Sequence, residues 1–384
     1  MNYGRWETRS EKGRGGQGVT YLAEDSNLFF KILDSIARAV PAINGIGRTE
    51  DKHAWARTLA DGMHKYISAI QNEGIVALKV LHDDIRTDSK ALARLKQEIE
   101  VLTKHSHENI VKIIDSNASE GWFATTFFPL GTLADNSKRF QSKSFAALQA
   151  FRPLVEAVAT LHRVKIVHRD IKPANIFFSE GGLVLGDFGL VFFADENKSR
   201  ISDTYENVGS RDWMPAWAYG KRVEDIAPSF DVFSLGKVLW AMISGKTILP
   251  LWYHRKPEFD LSRQFSRDPH VHMINALLDG CIQENEENVG YPDAIELLKQ
   301  IDSLLEIMYR DGELLRLGIT RTCRVCGYGE YELIADDTQT PTSSENAGFH
   351  LRGQLRLRIF CCRRCGNVQM FQMQRNPEAW GSPQ

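Results

Sequence analysis

Cysteine is scarce and unevenly spread in this chain of 384 residues. Of six, Cys281 stands alone, and Cys323, Cys326, Cys361, Cys362 and Cys365 crowd the last quarter. A disulfide framework distributes its cysteines over the fold. Crowding of this kind points instead to a metal and a reducing compartment. Long apolar runs are missing too: none approaches the roughly 18 residues needed to cross a bilayer. Met1–Glu11 is polar and charged, where a secretion signal needs an apolar stretch. The expectation is a cytoplasmic protein without membrane contact. Excess charge is also lacking, with Lys plus Arg at 47, Asp plus Glu at 49 and a net charge of −2. That excludes a surface built wholly to grip nucleic acid and leaves room only for a local basic patch. No fixed-period repeat is present. With 43% hydrophobic and 25% charged residues, bulk disorder and filament-type compositions are excluded as well.

Periodicity supplies the organisation. Residues 1–30 read as β-rich with a glycine-rich interruption. Residues 32–74 are Ala-rich, with Ile36, Val40, Trp55, Leu59, Met63, Tyr66, Ile67 and Ile70 at helical spacing. Pro41, Gly45 and Gly47 punctuate them, which predicts a helical hairpin. Ile75–Leu81 reads as a strand, Ser89–His105 as a helix, and 110–133 as two strands with Gly121 near the turn. Helical patterns cover Phe145–Arg163, Asp231–Ser244 and Val271–Ile307. From 318 on, strands, turns and cysteines take over, and Asp336–Gly348 reads as a loop.

Three motifs carry chemistry. Gly13-Arg14-Gly15-Gly16-Gln17-Gly18 precedes the apolar Val19–Ala23. Such glycines let backbone N–H groups approach a phosphate, although alone the pattern reads better as a flexible loop. A dinucleotide fingerprint fits less well, because the next residues look like a strand and not a helix. Val76-Ala77-Leu78-Lys79 sets a lysine in an apolar strand, a costly placement without an anionic partner. Lys31 is a rival, but Glu98 on the helix that follows gives Lys79 the partner. Finally, His168-Arg169-Asp170-Ile171-Lys172-Pro173-Ala174-Asn175 is followed by Asp187-Phe188-Gly189. One Asp can orient a hydroxyl while the other, with the Asn, holds Mg²⁺.

In this order and spacing the set closely resembles the eukaryotic-type protein kinase family, over residues 8–305. The resemblance implies an α+β, bilobal fold with a β-rich small lobe and an α-rich large lobe. The kinase domain would span 1–310, with 28–73 as a helical insertion in the small lobe. It implies ATP and Mg²⁺ as cofactors and protein substrates with Ser or Thr. Gly13, Gly15 and Gly18 would cover the ATP phosphates. Lys79 would contact phosphates and pair with Glu98. Asp170 would be the catalytic base, Lys172 would neutralise the transferring phosphate, and Asn175 and Asp187 would bind Mg²⁺. Ala77 and Phe177 would sandwich adenine, with Thr125 as gatekeeper and Thr126 and Phe127 at the hinge. His168, Phe188 and Leu102 correspond to a packed column, and Asp231 to a buried helix Asp bracing the catalytic loop. Lys172 is the Ser/Thr-type residue. Arg169 would read a phosphate on the activation segment, where Ser199, Ser202, Thr204, Tyr205 and Ser210 are available and Thr204 is favoured for autophosphorylation. The alternative is a pseudokinase-like nucleotide-binding scaffold, and a small-molecule kinase stands further off.

Some positions depart from the family. Pro215-Ala216-Trp217 stands where Ala-Pro-Glu is expected, and Glu284-Asn285-Glu286-Glu287-Asn288 holds no Arg to pair with it. Loss of both members of a buried pair is far cheaper than loss of one, so a repacked substrate lobe is expected. Thr20 replaces the usual Val.

Cys323-Arg324-Val325-Cys326-Gly327 and Cys362-Arg363-Arg364-Cys365-Gly366 form two knuckles whose four thiolates suit tetrahedral Zn²⁺. They resemble a zinc ribbon, over 318–376, with Cys361 left free. Leu355–Ile359 alternates with one basic face, and Leu351–Pro377 holds six Arg and no acid. That face reads first as a solvated strand and second as a protein or nucleic acid partner site.

Overall fold

Strand alternation positions the first layer. Six strands, β1 (Asn2–Tyr3), β2 (Trp6–Arg14), β3 (Gly18–Asp25), β4 (Ile75–Leu81), β5 (Ile113–Asn117) and β6 (Trp122–Thr126), form an antiparallel sheet in the order β1-β2-β3-β4-β6-β5. In β4, Val76, Leu78 and Val80 are buried in a core with Trp6, Ala23, Trp122 and Ala124. Period two therefore turns Ala77 and Lys79 to the opposite face. A one-residue slip would expose all three apolar side chains, at about 1.5–3 kcal/mol each, so the register of Lys79 is fixed by its neighbours. This is a computed structural model. It describes residues 1–15, 17–28, 74–189, 192–193, 211–219, 221, 225–316, 323, 325–326, 330–340 and 355–372. The insertion read over 28–73 lies, but for Leu28, outside them, as do Lys31 and the hydroxyl residues from Ser199 to Ser210.

Helix α1 (Ser89–Lys104) starts on Asp88, whose carboxylate accepts the Lys90 N–H. It buries Leu95, Glu98, Val101 and Leu102, a stripe at helical spacing with one acid in it. Leu95 packs on Leu81 and Phe123 of the sheet, so Glu98 meets the strand that carries Lys79. Gly121 takes a φ of 76° in the turn between β5 and β6.

The second layer is helical. Helices α2 (Ser144–Arg163), α3 (Ser229–Ser244), α4 (Leu261–Gln264), α5 (Val271–Cys281) and α6 (Ala294–Arg316) follow the sheet. Every residue of α3 is buried, the mark of a helix at the centre of a domain. Short ladders pair β7 (Ile166–Val167) with β10 (Phe192–Phe193), and β8 (Ile176–Ser179) with β9 (Gly182–Leu185). The segment from His168 to Asn175 spans the gap from β7 to β8, and Asp187 lies two residues past the end of β9. The broad helical pattern over 271–307 is in fact two helices. Asp293 accepts N–H groups of Ile295 and Glu296 at 2.9 and 3.0 Å and starts α6 afresh.

Contacts divide the chain into Met1–Asp302 and Ser303–Gln384. In the second unit, β11 (Tyr331–Thr340), β12 (Leu355–Cys362) and β13 (Val368–Gln372) form an antiparallel sheet in chain order. Cys323, Tyr331, Phe360 and Cys362 make its core. Among the described residues no helix is long and apolar enough to cross a membrane.

Candidate functional site

Lys79 is the meeting point of two layers. Its Nζ lies 3.0 Å from both oxygens of Glu98 on α1 and 2.9 Å from Asp187 Oδ1. Glu98 Oε1 also accepts the Phe188 N–H at 3.1 Å, so the helix acid is tied to both ends of the ion-pair chain. Burial lowers the Lys79 pKa, but the Asp187 and Glu98 carboxylates more than reverse this and keep it charged. The ammonium holds the Asp187 carboxyl down at about 2 against the opposing effect of burial. Burial pushes Glu98 up, against the pull of Lys79 and with the help of the Asp187 charge.

The loop after β7 hangs on Asp231 of α3. Asp231 Oδ2 accepts the His168 N–H at 2.7 Å, and Oδ1 accepts the Arg169 N–H at 2.8 Å. A third donor is His162 of α2. Its Nδ1 accepts the Ala294 N–H at 3.0 Å, so the proton sits on Nε2, which donates to Asp231 Oδ2 at 3.0 Å. Held this way, Arg169 sits at φ 69° and is only 2% exposed. Next in the chain, the Asp170 carboxylate accepts Lys172 Nζ at 2.8 and 2.9 Å and Asn175 Nδ2 at 2.8 Å. Burial raises the Asp170 pKa and Lys172 opposes it; the nearby Asp187 charge adds to the rise. The His168 ring meets Phe188 edge-on at 4.5 Å, and Leu102 is buried.

The remaining predicted residues lie on the sheet, just after β6, or in the β8–β9 ladder. Ala77 stands opposite Thr125 in the β4–β6 register, and Thr125 Oγ1 donates to Ala77 O at 3.4 Å. Phe177 bridges Thr132 and stacks on Phe128 at 5.3 Å. Lys12 lies 5.8 Å over the Phe127 ring. Gly13 pairs with Thr20 one residue before the end of β2, Gly15 lies in the turn, and Gly18 opens β3. Gly18 must be glycine, because a Cβ there would lie 2.2 Å from Val80 O. The structure thus brings the glycine turn beside the Lys79 strand although a long insertion separates them in sequence.

The protein kinase domain family profile matches residues 63–324, more than half of the chain. The chain belongs to the protein kinase domain family. The matched span begins after the glycine turn, so the turn's place in this kinase domain rests on the sheet register. Among similar proteins, CBL-interacting protein kinase 12 of Oryza sativa subsp. japonica is 27% identical over 266 residues, 65% of this chain and 48% of its own. The probable serine/threonine-protein kinase PknB of Bifidobacterium longum (strain NCC 2705) is 30% identical over 185 residues, 44% and 26%. Dual specificity protein kinase Ttk of Danio rerio is 28% identical over 225 residues, 56% and 21%. The chain spans half or less of the length of these relatives.

In the second unit the sulfurs of Cys323, Cys326, Cys362 and Cys365 lie within 4.8 Å of one another. Cys323 to Cys365 is 3.7 Å and Cys326 to Cys362 is 3.8 Å. Gly366, at φ 72°, closes one knuckle by donating its N–H to Cys362 O at 2.9 Å. Tyr331 stands behind the cluster and donates to Asn367 Oδ1 at 2.6 Å. Cys361 is not one of the four. The side chains of 355–358, on which the basic-face expectation rests, lie outside the described ones.

The kinase domain has not simply lost the ion pair near Trp217. Lys221 and Ser229 both bond the Glu286 carboxylate, the serine at 3.0 Å. Lys221 also lies 5.0 Å over the Trp217 ring, and Trp217 meets Phe230 edge-on at 6.4 Å. The stretch before α3 is therefore fastened by a basic residue on its own side and an acid on the far side. Sequence reading missed it because the two partners are 65 residues apart and neither stands at the family's position. The pair is about one-third exposed. Exchanging one charge, as in Lys221→Glu or Glu286→Lys, is expected to cost about 1 kcal/mol in chemical denaturation, and the double exchange to recover most of it. Strictly additive losses would contradict the pairing.

Proposed function

We propose that the chain is an ATP- and Mg²⁺-dependent protein kinase that transfers the γ-phosphoryl group to Ser or Thr hydroxyls, its own included. The observation that carries this is Lys79 bridging Glu98 and Asp187, at 3.0 and 2.9 Å, with the Asp170 loop locked in place by Asp231. Lys79 binds the α- and β-phosphates, and Glu98 keeps its ammonium aimed. Gly13, Gly15 and Gly18, without side chains, let the backbone lie close over the phosphates. Ala77, Thr125, Phe127 and Phe177 hold the adenine. Asp170 orients the acceptor hydroxyl and takes its proton as the oxygen bonds to phosphorus and the β,γ-bridging bond breaks, releasing ADP. Its raised pKa suits that task. Lys172 steadies the charge of the transferring group. Asn175 uses its amide N–H groups on Asp170, which leaves its carbonyl oxygen, with the Asp187 carboxylate, as hard oxygen ligands fit for Mg²⁺. When bound, Mg²⁺ neutralises phosphate charge.

In the second unit we infer a zinc-ribbon-like module, with Zn²⁺ on Cys323, Cys326, Cys362 and Cys365. A tetrahedron with Zn–S of about 2.3 Å has sulfur–sulfur edges of about 3.8 Å, and the two closest pairs stand at 3.7 and 3.8 Å. The role is structural, since so short a segment has little core of its own.

Purified full chain with γ-labelled ATP should label itself or a generic Ser/Thr protein. Asp170→Asn should cut the rate by about 10²–10⁴-fold, the share of a positioned base. Wild type that binds ATP and transfers nothing would favour the scaffold reading. Elemental analysis should find about one zinc per chain, the content of one four-thiolate site, and Cys362→Ser should lower it. Zinc-free folded protein would refute the ribbon.

A further inference from the structure

The turn between β2 and β3 is fastened from outside by a residue with no role in the chemistry above. His82 follows β4 directly. Its backbone N–H donates to Gln17 O at 3.2 Å, and its ring Nε2 stands 2.8 Å from Gly15 O. A carbonyl only accepts, so Nε2 carries the proton and donates. Within the turn, the Gly15 N–H donates to Gly18 O at 2.9 Å. One residue therefore grips the turn at two carbonyls, while Gly18 is pressed against Val80.

The grip decides where Gln17 goes. A methyl group placed on Gly189 would lie 3.5 Å from Gln17 Oε1, 3.5 Å from Lys79 Nζ and 3.6 Å from Asp187 Oδ1. The Gln17 amide, the Lys79 ammonium and the Asp187 carboxylate thus converge on one small volume beneath the turn. A neutral amide there has N–H groups to offer an anion and can rotate to present them. A turn so rich in glycine has many conformations available when nothing holds it, so aim of this kind requires a fastening.

We propose that His82 is a latch: by holding Gly15 it keeps the glycine turn closed over the cleft and aims the Gln17 amide at the terminal phosphate of bound nucleotide. His82 is a positioning residue, and Gln17 is the residue that touches the nucleotide. This rests on the nucleotide-site reading above, and the test separates the two. Full-length wild type, His82→Ala, His82→Gln and Gln17→Ala are compared by hydrogen exchange over 13–19 without nucleotide, by ATP binding, and by KM and kcat. His82→Ala should speed exchange in the turn and weaken ATP binding, each about fivefold, the factor expected of one neutral hydrogen bond. His82→Gln, whose amide can donate to the same carbonyl, should restore both. Gln17→Ala should weaken ATP binding and leave turn exchange unchanged. Wild-type exchange and binding in His82→Ala would overturn the latch, as would a Gln variant as impaired as the Ala variant. Normal ATP binding in Gln17→Ala would overturn the aimed amide. Absence of phosphate transfer by wild type bears on the kinase reading alone, because exchange and binding decide the latch without turnover.

Discussion

The buried carboxylate of Asp231 is the constraint on which the site depends. An ionised acid with no exposure costs several kcal/mol to desolvate, and it persists only if its lone pairs are filled. Three donors fill them: the His168 and Arg169 N–H groups and the His162 ring. Burial pushes its pKa up, but these bonds and the His162 and His168 rings outweigh it and hold it below the ordinary value. The same bonds pull Arg169 to φ 69°, a left-handed conformation that costs roughly 1–2 kcal/mol. Asp170 faces the cleft because the residue before it is bent. His162 carries the constraint further: its second nitrogen is committed to Ala294, so α2, α3 and the start of α6 share one hydrogen-bonded chain.

The other half of the site comes from the sheet. Lys79 faces the cleft because Leu78 and Val80 must face the core, and Glu98 reaches it because Leu95 and Val101 bury α1. Two hydrophobic patterns with different periods, 2.0 and 3.6, thus deliver opposite charges to one point. Phosphoryl transfer asks mainly for positioning and charge. Here the positioning is done by packing and the charge by three side chains within hydrogen-bond reach.

Much of this was legible in the sequence. β4 runs over Ile75–Leu81 as its short apolar run indicates, α2 and α3 begin within two residues of their patterns, and Lys79 meets Glu98 as the cost of a lone buried lysine suggests. What stayed hidden has no period. Lys221 with Glu286, His82 with the Gly15 carbonyl, and His162 with Asp231 are long-range pairs of polar groups. Their partners are set by how elements cross, not by spacing along either one. The break after α5 was readable from Pro292-Asp293, a start signal that a long apolar pattern outweighs by eye.

The direct test of this account is Asp231→Asn. The variant replaces one accepting oxygen with an amide that cannot take the His168 or Arg169 N–H, leaving a buried donor unmet at about 1–3 kcal/mol. Measured together, ATP affinity should stay near wild type, because Lys79 and the sheet are untouched, while the phosphate-transfer rate falls by at least about tenfold. Transfer at the wild-type rate in a folded Asp231→Asn protein would contradict the claim that this carboxylate holds the site in its working shape.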